Sequence, residues 1–294
     1  MSRKTKSKLI TSLLEILLFV CISFIIIVPL LIMILGSFKD ATEVTAFNLE
    51  LPKQWLFENY VTVFEEADLI TAFFNGILIT VVSTAITIGV SSLAAFIVAR
   101  RKTSLSRFLY YFFFIGTIIP MQTIPTIRLF SALGIYGSYT NAILLYVAIN
   151  ISFSCFLYTG FIKGIPKALD EAAFIDGAST IKVFFKVVFP LLKPISMTVL
   201  ILDFMNIWND INIPLYFLSS PSKWTMPLSV YQFFGQFSKS NWNYVFADLT
   251  LTILPVFIVF LFAQKHIING LTEGSVKPNV QRGRRKIWCE GKSL

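Results

Sequence analysis

Residues 169–194 read LDEAAFIDGASTIKVFFKVVFPLLKP, three acids and three lysines threaded through apolar residues, with Gly177 inside and Pro190 and Pro194 near the end. Two short helical arms fit this pattern. Pro166, just upstream, suits the first turn of a helix because it has no amide hydrogen to leave unpaired there. Leu169, Ala172 and Ala173 then fall on one face. After Gly177 comes a second stripe, Ile181, Phe184, Phe185 and Val188, with Lys182 and Lys186 opposite. At about 12 residues each, neither arm reaches across the ~30 Å of hydrocarbon in a bilayer. The stretch is therefore expected to be an amphipathic hairpin lying at a membrane interface.

The flanking sequence supplies the membrane. Runs long enough to cross it, roughly 20 mostly apolar residues each, occupy residues 16–36, 73–99, 108–130, 141–162, 195–218 and 249–268. Pro120 and Pro125 predict kinks in the third run. Composition agrees: 55% of the 294 residues are hydrophobic, 30 are Phe and only 14% are charged, which excludes an ordinary soluble domain. Strands of an outer-membrane barrel would be nearer 10 residues and polar on one face, unlike these runs. The expected fold is all-α, a polytopic membrane protein with six transmembrane helices and a cytoplasmic hairpin between helices 4 and 5.

Basic residues set the orientation. Of the 25 Lys and Arg, 20 lie before the first run, between the second and third, between the fourth and fifth, or from Lys265 at the end of the sixth run onward. Such an excess marks the cytoplasmic side. The first loop on the other side carries instead Asp40, Glu43, Glu50, Glu58, Glu65, Glu66 and Asp68. Residues 1–15 are thus expected as a cytoplasmic N-terminus, 16–268 as the transmembrane domain with its hairpin at 163–194, and 269–294 as a cytoplasmic tail. The asymmetry, with attraction to anionic lipid, accounts for the net charge of +9 without nucleic acid. The opening MSRKTKSKLITSLLEILLFV has the basic start of a signal peptide but no small-x-small cleavage site, and reads as an uncleaved first span. Cys21 and Cys155 fall inside spans and Cys289 in the tail, so no disulfide framework is implied.

Several chemistries are excluded. The one histidine, His266, leaves too few ligands for zinc. The chain has no phosphate-binding GxxxxGK[ST] loop and no dinucleotide fingerprint, so it calls for no metal or cofactor of its own. If ATP powers it, another subunit binds the ATP. No TVGYG-like filter or arginine-repeat helix points to a channel.

A hairpin of this kind could simply anchor on lipid. Two features favour protein contact instead: Asp170, Glu171 and Asp176 would face anionic headgroups, and the first arm's apolar face is largely alanine. Glu171, Ala172, Ala173, Gly177, Val187, Phe189 and Pro190 carry a more specific signal. Their spacing resembles the EAA-x3-G-x9-I-x-L-P loop in permease subunits of binding-protein-dependent ATP-binding cassette importers, with Val and Phe in place of Ile and Leu. The resemblance implies that the first arm is a coupling helix seated in a cytoplasmic ATPase, with Glu171, Ala172, Ala173, Gly177 and Pro190 making the coupling. Along nearly the whole chain, to about residue 277, the sequence is similar to six-span, maltose-type permeases of sugar importers. SFKDATEV, ENYVTVF, FFNGILIT, NIWNDINIPL and FAQKHIINGLTEGSVK carry that similarity. It implies a second homologous permease subunit, an ATPase dimer and an extracytoplasmic solute-binding protein as partners, an inner or plasma membrane location in a prokaryote, and no enzyme activity in this chain. The basic segment after Lys277 lies beyond it and reads as a disordered tail.

The fifth run holds Asp203, Asn206, Trp208, Asn209, Asp210 and Asn212. An acid at mid-bilayer costs ~2.5–3.5 kcal/mol on the insertion scale, so these groups should face a partner helix or a watery path. At helical spacing Asp203, Asn206 and Asp210 share one face and Asn209 adjoins it. Asn206, Asn209 and Asp210 suit hydroxyl recognition along a sugar pathway; they suit joining of helices equally well. Asp203 is better read as such a joint, and Gln122 and Arg128 are weaker pathway candidates. The loop 219–246, with Trp224, Tyr231, Phe234, Trp242 and Tyr244, faces the side where a binding protein would dock. The competing reading of the chain is a self-sufficient secondary transporter or channel.

Overall fold

A computed structural model describes residues 3–234 and 241–273. Helices α1 (Arg3–Gly36), α2 (Glu58–Glu66), α3 (Leu69–Arg100), α4 (Ser104–Gly116), α5 (Thr123–Ala132) and α6 (Tyr139–Gly164) precede the hairpin region. There α7 (Ala168–Ile175), α8 (Thr180–Val183), a π-turn at Phe184–Val188 and α9 (Phe189–Leu191) follow one another. The chain continues through α10 (Lys193–Trp208), α11 (Asn212–Phe217), α12 (Met226–Ser229) and α13 (Trp242–Glu273). Among the described residues the extended pairing is one isolated bridge, Gly137 with Leu218. Cys289 and the basic extension after Lys277 lie outside the described residues.

Among the described residues four helices are long and apolar enough to cross a membrane: Leu14–Gly36, Leu69–Arg100, Tyr139–Gly164 and Trp242–Phe262. A bent pair, Thr180–Leu191 with Lys193–Trp208, adds a fifth if it is counted as one span. The protein is therefore a multi-pass, all-helical membrane protein.

The third apolar run departs from expectation: it is broken, not merely kinked. α4 stops at Gly116 and α5 starts at Thr123. Pro120 has no N–H for the carbonyl of Gly116 and its ring crowds that carbonyl, so an α-helix cannot continue through it. The chain tightens instead, with Thr117 N–H donating to Phe114 O at 3.2 Å and Ile118 N–H to Ile115 O at 2.9 Å. Pro125 sits in the first turn of α5, where a missing N–H costs nothing.

The chain forms two compact units. The first comprises Met1–Ile79, Thr126–Ala142 and Trp208–Ile258. Its core holds Trp208, whose indole lies over Gly76; a Cβ there would come within 3.2 Å of the ring. Side-chain amides fasten its loops where backbone groups have no ladder partner. Asn75 Nδ2 donates to the carbonyls of Ser222 and Trp224 at 3.0 Å each. Asn59 Nδ2 donates to those of Ser37 and Lys39 at 2.9 Å each, and Asn243 Nδ2 donates to Asn59 Oδ1 at 3.0 Å. The carboxylate of buried Asp248 accepts from Ser229 Oγ and Thr252 Oγ1. The expected docking aromatics are partly engaged with one another, Trp242 lying edge-on to Phe47 and Phe234 at 5.2 and 5.4 Å.

The second unit comprises Thr80–Pro125, Ile143–Ile207 and Val259–Leu294. Its α3 segment buries Ser83, Thr84, Thr87, Ser91 and Ser92, small residues that let helices approach closely in a membrane. Its hydrophobic core joins Ala95 and Phe96 of α3, Cys155, Tyr158 and Ile162 of α6, and Ile195 and Val199 of α10 to the hairpin residues Val183, Phe184, Val188 and Leu192.

Candidate functional site

The hairpin is built from its turn outward. α7 ends in a Schellman cap, in which Gly177 N–H donates to Phe174 O and Ala178 N–H to Ala173 O, both at 3.0 Å. The motif needs a left-handed residue, and Gly177 has φ +77°. A Cβ on Gly177 would meet nothing within 4 Å, so the demand for glycine is conformational and not steric. Ser179 caps α8, its Oγ accepting from Lys182 N–H.

The second arm carries the departure that matters most. Pro190 cannot donate to the carbonyl of Lys186, and just before it the ladder widens: Phe189 N–H donates to Phe184 O, five residues back. This shift in register turns Val183, Phe184, Val188 and Leu192 inward, each 1% exposed or less. The stripe expected from a regular α-helix, Ile181, Phe184, Phe185 and Val188, is therefore corrected. Ile181 and Phe185 are 71% and 54% exposed. Phe184 packs against Phe96 with ring centroids 5.4 Å apart. The arm then turns by 75° into α10.

The first arm also sorts its residues differently from expectation. Glu171, Ala172, Gly177 and Pro190 are exposed, while Ala173 packs against the core. Leu169, Phe174 and Ile175 form an outward apolar set, Ile175 being 87% exposed. Asp170 is not an outward acid. It is buried and paired with Arg100, the last residue of α3, with Nε to Oδ2 at 2.6 Å. A second guanidinium nitrogen reaches Oδ1 at 3.4 Å, and a third contact runs from Nη1 to the carbonyl of Ile165 at 3.1 Å. One arginine thus ties α3, the end of the α6 segment and α7. No local pattern links positions 70 residues apart, so single-sequence reasoning missed this pair.

The polar residues of the fifth run do not share one helix face. α10 ends at Trp208, leaving Asn209 and Asp210 beyond it. Asp210 instead organises the start of α11, its Oδ1 accepting from Asn212 N–H and its Oδ2 from Ile213 N–H, both at 3.0 Å. The pull of an aspartate toward such local backbone bonds competes with helix continuation. Asn206 stays helical and donates to Asn150 Oδ1 of α6 at 2.9 Å. Asp203 is buried beside Ser154 of α6, as a helix-joining residue should be. Gln122 lies exposed in the α4–α5 break, with Nε2 3.5 Å from Pro120 O.

A family model described as binding-protein-dependent transport system inner membrane component matches residues 88–272. The chain belongs to this family. The permease is 36% identical over 260 residues to the probable starch degradation products transport system permease protein AmyC of Thermoanaerobacterium thermosulfurigenes, covering 88% of this chain and 94% of that one. It is likewise 36% identical over 277 residues to the melibiose/raffinose/stachyose import permease protein MelC of Bacillus subtilis, covering 93% and 98%. Among solved structures, a bacterial ABC transporter that imports the acidic polysaccharide alginate has a chain of the same fold. The TM-score is 0.77 at 22% identity, over 90% of this permease and 98% of that chain. As a permease of this family the chain is a transport subunit, and ATP hydrolysis belongs to separate partner subunits.

Proposed function

We propose that this permease is one of a pair of homologous membrane subunits of an ATP-driven importer for sugars or oligosaccharides. The names of its relatives support the substrate class. In this reading the chain crosses the plasma membrane six times with both termini in the cytoplasm, the broken α4–α5 and α10–α11 segments serving as the third and fifth crossings. A cytoplasmic ATPase dimer grips the hairpin, and an extracytoplasmic solute-binding protein delivers the sugar.

One observation carries the mechanism: the hairpin presents one face outward while its other face is locked into a helical core. Glu171, Ala172, Ile175, Ile181 and Phe185 are the outward set, and Val183, Phe184, Val188 and Leu192 the anchor. A push on the outer face is transmitted to α3, α6 and α10 because packed interiors hardly compress. ATP shifts the carrier between its two access states only as far as the closed ATPase prefers one hairpin position. Gly177 and Pro190 set that position. Asn206, Asn209 and Asp210 are proposed to line the solute path.

The test is purification of the tagged full chain from its native membrane, followed by reconstitution. A second permease, ATPase subunits and ATP-dependent uptake of an oligosaccharide are expected. Uptake by this chain alone, driven by an ion gradient, would establish a secondary transporter in its place.

A further inference from the structure

The turn between α3 and α4 holds four basic residues, Arg100, Arg101, Lys102 and Arg107. A topological preference for cytoplasmic positive charge asks only that they be present. Their arrangement is more specific. Arg100 is buried and neutralised by Asp170. The other three converge on a cleft of about 260 Å³ lined also by Thr103, Ser106, Tyr110 and Tyr111, with no carboxylate in its wall. Among the described residues none of these three cations makes an ion pair. Lys163 adds a fourth positive charge nearby, its Nζ lying 5.0 Å from the centre of the Tyr110 ring. The first amides of α4 are not what makes the cleft attractive to anions, because Thr103 and Ser106 cap one another.

We propose that this cleft binds the phosphodiester of an anionic phospholipid. The cations and tyrosine hydroxyls supply charge-assisted donors to phosphate oxygens, and basic pockets beside membrane helices are where such headgroups lodge. Two observations select a lipid over a soluble anion. The cleft follows directly on the end of α3, a 32-residue helix long enough to span the bilayer, and so lies at headgroup depth. Phe108, Phe112 and Ile115, at helical spacing along α4, then run on from it with 63%, 59% and 52% exposure. An acyl chain can lie along that strip below a bound headgroup. Inorganic phosphate or an acidic peptide would leave it unused.

The experiment uses native mass spectrometry of the assembled transporter, loaded with phosphatidylglycerol or phosphatidylcholine of matched acyl chains. Preferential retention of phosphatidylglycerol is expected, falling at least about tenfold in R101Q/K102Q/R107Q and returning in the charge-conserving R101K/K102R/R107K. A charge-matched control, K182Q/K186Q/K193Q, removes three exposed lysines from the hairpin region and should leave retention unchanged. Equal loss in the control would replace the site with diffuse electrostatics. The proposal is also overturned if the native protein shows no headgroup preference, or if inorganic phosphate at the lipid's concentration displaces it, since the hydrocarbon would then contribute nothing.

Discussion

Removal of one partner of the Arg100–Asp170 pair should loosen the hairpin far more than removal of both. The side chains are only 9% and 8% exposed, so Asp170→Asn leaves a guanidinium without its counter-charge where water cannot replace it. Breaking such a pair from one side costs on the order of 3–5 kcal/mol, whereas replacing both members by apolar groups of similar shape is often neutral. The hairpin anchor offers a local readout. Val183, fully buried, can be changed to cysteine with little change in volume, in a background lacking Cys21, Cys155 and Cys289. The rate at which a maleimide reaches that thiol reports opening of the arm. At about 1.4 kcal/mol per factor of ten, Asp170→Asn should raise the opening equilibrium by two or more orders of magnitude. Arg100→Met with Asp170→Leu should label near the native rate. Labelling of Asp170→Asn within about threefold of native would refute the reasoning, because it would mean that the hairpin does not open through this contact.

Gly177→Val should cost about 1–2 kcal/mol through the left-handed backbone alone and uncouple ATP hydrolysis from uptake in reconstituted transporter while solute capture by the binding protein persists. Gly177→Asn should be milder, and equal effects of the two would argue against a conformational cause. Gly76→Leu should reduce thermal stability in detergent by displacing the Trp208 ring, whose nearest atom lies 3.2 Å from where a Cβ would stand, and pairing it with Trp208→Ala should recover much of the loss. Asp40 has its carboxyl held below the ordinary 3.8 first by the Thr42 hydroxyl and then by the amides of Glu43 and Thr42. Its contribution is therefore complete above about pH 4 and lost as the pH falls through the lower folded value, so Asp40→Asn should flatten the acid limb of protease resistance in the loop after α1.

The membrane character, the helical class and the two short arms about Gly177 were legible because apolar run length and helix breakers are local quantities. Gly177 itself was plain, since a glycine after a helical arm is the signal of the cap it forms. The orientation of the second arm was not. One proline shifts the hydrogen-bond register upstream of it, and a stripe drawn at 3.6 residues per turn then names Ile181 and Phe185 in place of Val183 and Leu192. The polar face of the fifth run failed for a related reason: Asp210 prefers two backbone amides to a place on α10. Asp170 looked like any surface acid because its partner lies 70 residues away.

Within Leu14–Gly36 of α1, the most apolar window of 18 residues has a mean hydropathy of 3.2 and no residue buried by the rest of the chain. Its stability in the bilayer thus does not wait for tertiary structure: the segment can partition from the translocation machinery as soon as it emerges, before any later helix is synthesised. Within this chain the outward side chains along that window are constrained by oil solubility and not by fit, so exchange among Leu, Ile, Val and Phe should leave the fold of this subunit close to unchanged. That tolerance ends at Gly36, where a Cβ would collide with the ring of Phe246.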